Sequence, residues 1–146
     1  MARETAEQKP VKVKVKTDIR DGQNKETFEF TTFGRYYTKA ESSYLQYEEV
    51  LEEGTIKTIV KLSSKEALIL RSGAINMRMV FRLHKRLRGS YRSPYGTLEV
   101  MTNTQRMEHF FNEEEMTGQL ELLYDLTMQG AKTGTYHMII TFEEDN

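Results

Sequence analysis

Val11, Val13 and Val15 alternate with Lys12, Lys14 and Lys16, and Ile19 follows after Thr17 and Asp18. An extended chain sends successive side chains to opposite faces, so this run predicts a strand with one apolar and one cationic face. The same grammar returns along the chain. Between Thr27 and Thr32, Phe28 and Phe30 oppose Thr27, Glu29 and Thr31. Ile56, Thr58, Val60 and Leu62 alternate with Lys57, Ile59 and Lys61. Leu120, Leu122, Tyr124, Leu126 and Met128 alternate with Glu121, Leu123, Asp125 and Thr127, and Met138, Ile140 and Phe142 with His137, Ile139 and Thr141. Turn residues punctuate the runs: Asp21-Gly22 with Gln23 and Asn24, then Gly54, Gly130 and Gly134. Strands joined by so few residues pair antiparallel.

A central hairpin is expected from Ala67 to Phe81. With Ser72-Gly73 as a two-residue loop, Arg71 faces Ala74 and Leu70 faces Ile75. One face then collects Leu68, Leu70, Ile75, Met77, Met79 and Phe81, and the other Ile69, Arg71, Asn76 and Arg78. Two segments stay open. Ser42 to Glu53 places Tyr44, Tyr47, Val50 and Leu51 at helical spacing, yet also reads as a strand with Leu45, Tyr47 and Glu49 on one face. Gln105 to Met116, with Met107, Phe110 and Phe111, is equally divided.

Many short antiparallel strands must hide their edges, and closure does this most completely. The expected fold is all-β: a closed or nearly closed up-and-down antiparallel barrel of about eight to ten strands, whose lumen is filled by side chains or holds one small ligand. A single sheet with one covering helix is the alternative. The length of 146 residues suits one domain, with residues 1–9 as a flexible arm and 10–146 as the barrel. The chain has no Cys, which excludes disulfides, thiolate metal sites and a cysteine nucleophile. No window of eighteen apolar residues occurs, so no spanning helix and no membrane partner are expected. The first ten residues lack an apolar signal core, which places the protein in the cytoplasm.

The segments 44–49 (Tyr-Leu-Gln-Tyr-Glu-Glu), 56–61 (Ile-Lys-Thr-Ile-Val-Lys), 71–81 (Arg71 to Phe81) and 94–99 (Pro-Tyr-Gly-Thr-Leu-Glu) resemble the YwiB-like family, calycin-type β-barrel proteins of Gram-positive bacteria. The similarity runs in order from about Val11 to Phe142. It implies a lipocalin-like barrel and favours the strand reading of Ser42 to Glu49. It implies no activity, cofactor or functional residue.

Candidate ligand-binding residues come from the faces. Arg71 and Arg78 share one in the hairpin register above. Lining the lumen they could grip a carboxylate or phosphate; facing water they are ordinary solvated arginines, the placement hydrophobic sorting favours. If the loop after Lys39 has an even number of residues, Tyr36 and Tyr47 share a face with Leu45 and Glu49. Tyrosines suit a ligand cavity and a packed interior alike. A buried Glu49 needs a partner, naturally an arginine. Arg82, His84, Lys85, Arg86, Arg88 and Arg92 form a basic stretch with Tyr91 among them, a mixture that nucleic-acid sites use. One loop is not a stripe, however, and nucleic acid is not the expected partner. The outward Ile59, Leu123 and Ile139 could mark a homodimer or partner surface. His84, His109 and His137 are far apart and suggest no metal site, and neither a phosphate loop nor a hydrolase motif is present.

The expectation is a barrel binding a small anionic or amphipathic molecule in its lumen without catalysis or cofactor. The alternative is an interaction module with a filled barrel, contacting protein or RNA through its outer surface or the basic loop 82–92. An enzyme using a carboxylate or histidine at the barrel mouth comes third.

Overall fold

A computed structural model describes residues 7–145, and among them there are ten strands and no helix. They are β1 (Lys9–Asp21), β2 (Asn24–Lys39), β3 (Ser42–Leu51), β4 (Gly54–Leu62), β5 (Ala67–Gly73), β6 (Asn76–Phe81), β7 (Arg86–Ser93), β8 (Gly96–Asn112), β9 (Thr117–Met128) and β10 (Ala131–Glu144). Each pairs antiparallel with its sequence neighbours, and β1 pairs with β10 to close the ring. The closed up-and-down barrel is thus the fold. The covering-helix alternative is excluded, and both ambiguous segments are extended, in β3 and β8. Residues 1–6 of the expected arm lie outside the described residues, while Lys9 already pairs with Tyr36 in the sheet.

The alternations sort as the pleat demands. Val11, Val13, Ile56, Val60, Leu122, Tyr124 and Ile140 are buried inside, and Lys12, Lys14 and Lys16 stand exposed outside. That outer row of lysines is the reverse of the apolar band of a lipid-facing barrel. Ile59, Leu123 and Ile139 do point outward but are half-buried, and Ile59 lies on a different wall from the other two.

The central hairpin corrects the expected register. Leu70 pairs with Arg78 and Arg71 with Met77, so the turn falls on Ala74-Ile75 and not on Ser72-Gly73. The cause is Gly73, at φ 110°, where an added Cβ would lie 2.2 Å from the Thr55 carbonyl oxygen. This close approach keeps β5 paired with β4 as far as Gly73. An odd shift in register exchanges the faces of one strand relative to the other. Ala67, Ile69 and Arg71 therefore share the inside with Met77, Met79 and Phe81, while Leu68, Leu70, Arg78 and Val80 face out.

One seam of the ring is short. β2 pairs with β3 only from Gly34 to Lys39, after a two-residue turn at Ala40-Glu41. At Gly34 a Cβ would sit 1.9 Å from the Gln46 carbonyl oxygen, so the strands cross very closely there. Beyond that crossing they part, and the Thr32 hydroxyl donates to the Glu48 carbonyl at 2.7 Å across the gap.

Candidate functional site

The lumen is divided in two. At the end holding the β2–β3 and β8–β9 turns, Tyr36 stacks between Phe111 and Phe142 at centroid distances of 4.7 and 4.8 Å. Its hydroxyl bonds Ser43 Oγ at 3.2 Å. Gly118 makes room for the plug, since a Cβ there would meet the Phe142 ring at 2.2 Å. Val11, Leu45, Leu120 and Leu122 pack beneath these rings. This half is filled with side chains.

The other half is open. A cavity of about 460 Å³ lies under the β1–β2 and β5–β6 turns. Its wall is apolar over most of its extent, with Phe28, Phe30, Met77, Met79, Leu126 and Met138 among the lining residues. Tyr124 and Phe81 meet edge-on at 4.7 Å in the core, and Tyr124 stacks on Tyr136, another lining residue, at 5.3 Å. Burial pushes the Tyr124 phenol well above its ordinary value.

Three of the expected ligand residues meet in this cavity. Arg71 Nη2 lies 3.2 Å from Glu49 Oε1, with their side chains about one-quarter and one-fifth exposed. Glu49 ends up inside because the two-residue turn after Lys39 gives β3 the parity that also turns Tyr36, Leu45 and Tyr47 inward. Arg71 ends up inside because of the Gly73 register. Tyr47 stands opposite Thr58 on β4, and burial pushes its phenol up to about 12, with Arg71 pulling the other way.

The remaining candidates sit elsewhere. Tyr36 belongs to the aromatic plug, remote from the cavity lining. Arg78 is exposed on the outer face and does not share a face with Arg71. Arg82, His84, Lys85, Arg86, Arg88 and Arg92 are all exposed on or beside β7. Arg82 pairs with Glu66 at 3.6 Å and Arg88 with Glu99 at 2.7 Å. His84 is a turn residue at φ 62°, its backbone N–H bonded to the Thr104 carbonyl. His137 lies outside the barrel 2.6 Å from Glu121, and among the described residues no acidic–histidine cluster could hold a metal ion.

The methionine lining escaped the sequence reading. Alternation puts Met77, Met79 and Met138 on core faces, and it cannot distinguish a core wall from a cavity wall. A clustering of flexible thioethers from two strands, β6 and β10, around one cavity is a signal that only the register reveals.

Residues 13–140 match a family described as a domain of unknown function, DUF1934. The chain is 36% identical over 134 residues to the uncharacterized beta-barrel protein YwiB of Bacillus subtilis (strain 168), covering 92% of this chain and 93% of that one. It also superposes on the crystal structure of the ywiB protein from Bacillus subtilis with a TM-score of 0.85 at 33% identity, over 97% of this chain and 96% of the other. By sequence and by architecture, this ten-stranded barrel belongs to the DUF1934 family.

Proposed function

We propose that the open half of the lumen binds one small amphipathic molecule without transforming it. The observation that carries this reading is the Glu49–Arg71 pair inside a cavity of about 460 Å³ whose wall is otherwise largely apolar. Such sites combine an apolar body with a few fixed polar groups that orient the ligand. The single 3.2 Å contact leaves donors on Arg71 and acceptor capacity on Glu49 for a ligand head group. The methionines supply a wall that adapts to the ligand's apolar part.

Of the two ligand types expected, the amphipathic one fits better than a simple anion. Arg71 is already neutralised by Glu49, so a carboxylate would have to displace a carboxylate. A head group carrying both a donor and an acceptor extends the pair instead. A binding role suits the lining better than a catalytic one, because its carboxylate is held by a guanidinium and no histidine or activated nucleophile stands beside it. The parting of β2 and β3 beside Glu48 offers a lateral way in. The cysteine-free chain suits the cytoplasm, where we place this activity.

The test is to purify the protein from its host, denature it and identify released small molecules by mass spectrometry, alongside Arg71→Leu. Stoichiometric recovery of an amphipathic compound, reduced in the variant, is expected. Equal recovery from the variant, or a purely polar anion, would contradict this assignment.

A further inference from the structure

The barrel's charge is strongly segregated. Between Gly54 and Ser93, the span of β4 to β7, fall ten of the 21 cationic side chains and one of the 22 carboxylates. That span carries a formal charge of +9, and the rest of the chain −10. All of these cations except Arg71 lie outside the lumen, so one wall of a nearly neutral molecule is a cationic face.

Its centre is a row of arginines. Arg86, Arg88 and Arg92 point outward from β7 at alternate positions. The one gap, Ser90, has Arg78 of β6 as its direct cross-strand partner. The strands are drawn together at this point because Gly89 has no side chain; a Cβ there would lie 2.1 Å from the Arg78 carbonyl oxygen. Four guanidinium groups thus follow one ridge about 20 Å long, at the strand's rise per residue. Only Arg88 has a carboxylate partner among the described residues. Tyr95, 98% exposed, stands in the turn where the ridge ends.

We infer that this ridge is a binding surface for single-stranded RNA, read through its phosphates. Guanidinium groups match phosphate oxygens bidentately, and a row of them follows a flexible backbone where a compact cluster would not. An exposed aromatic at the end of a cationic track gives an unpaired base a stacking platform. The apolar residues of the same wall, Ile59, Leu70 and Val80, are half-buried in the pleat. Besides Tyr95, only Leu83 projects, at 43% exposure, and a single leucine is not the continuous apolar face that anchors in a bilayer, which favours RNA over an anionic membrane. The negative remainder of the molecule confines a polyanion to this wall. The surface is separate from the lumen, so either reading stands or falls without the other.

The experiment is fluorescence anisotropy of a labelled 20-nucleotide oligouridylate against the full chain, from 50 to 300 mM salt. Four phosphate contacts predict a slope of log K against log salt of about −3, at ~0.7 per contact. Arg78→Ala, Arg86→Ala and Arg92→Ala combined should flatten that slope by about 2 and weaken binding at least tenfold at 50 mM salt. Tyr95→Ala should weaken it severalfold with the slope unchanged. Lys12→Ala, Lys14→Ala and Lys16→Ala combined, on β1 at the far side of the ring, should leave binding intact. Thermal melts of each variant confirm that it folds. No binding at 50 mM salt, equal loss in the lysine variant, or capture by phosphatidylserine vesicles with RNA left free would overturn the inference.

Discussion

Arg71 Nη2 and Glu49 Oε1 are 3.2 Å apart inside the lumen, though 22 positions separate them in the chain. Each is the reason the other can be inside. Removing the guanidinium leaves a carboxylate facing methionines and phenols. Arg71→Leu should therefore cost about 1–3 kcal/mol in urea denaturation, the range for a polar group left unsatisfied. The double variant Glu49→Leu, Arg71→Leu should recover part of that loss, because two apolar residues leave nothing unpaired. Strictly additive losses would show that the pair does not act as a unit.

The buried tyrosines set an alkaline limit. Tyr47 has its phenol pushed up to about 12 by burial, from an ordinary value of 10. The unfolded chain ionises this group first, so the contribution is intact below pH 10 and is lost as pH rises towards 12. Absorbance at 295 nm should show Tyr47 and Tyr124 ionising only as the barrel unfolds, with Tyr47→Phe softening the alkaline loss of stability. All eight tyrosines titrating near 10 in the folded protein would contradict the burial described here.

An acid limit follows from the outer wall. The hydrogen bond from His137 holds the Glu121 carboxyl below its ordinary value, with Arg106 adding to the effect. A lowered carboxyl stabilises the fold above its unfolded value and ceases to do so as pH falls through the folded one. His137→Ala should raise the Glu121 value and move the acid unfolding midpoint to higher pH. An unmoved midpoint would remove Glu121 from the acid transition.

Gly34 and Gly22 should respond oppositely to substitution. A methyl at Gly34 lands 1.9 Å from the Gln46 carbonyl oxygen, so Gly34→Ala should cost about 1–3 kcal/mol, as overpacking does. Gly22 sits at φ 64° with nothing within 4 Å, and Gly22→Asn should be nearly neutral because Asn accepts that conformation. Thermal melts of the two variants compare them. Equal stability would mean that β2 and β3 do not cross as described.

Much of the barrel was legible because period two is a strong signal. Val11 to Val15 and Leu120 to Leu126 are buried where alternation puts them. The parity of the turn after Lys39 then carried Tyr36, Tyr47 and Glu49 inside together. The hairpin faces were not legible. Two registers sort the residues from Ala67 to Phe81 plausibly, and the choice depends on a contact between Gly73 and Thr55, 18 positions earlier in the chain and invisible to a local pattern. Hydrophobic sorting alone keeps Arg71 out of the lumen, because it cannot count the compensation that Glu49 provides. The division of the lumen into a plugged and an open half was equally hidden, since Tyr36 and Tyr47 read alike until their neighbours are known.

The most direct measurement is titration of the protein with N-phenyl-1-naphthylamine, a neutral fluorescent amphipathic probe, in the wild type and in Met77→Trp and Met138→Trp. Both positions line the open half of the lumen, and a bulkier ring at either reduces its volume. The account predicts saturable one-to-one enhancement in the wild type, weakened at least tenfold in both folded variants. No saturable binding, or the same affinity in protein whose cavity has been filled, would contradict it.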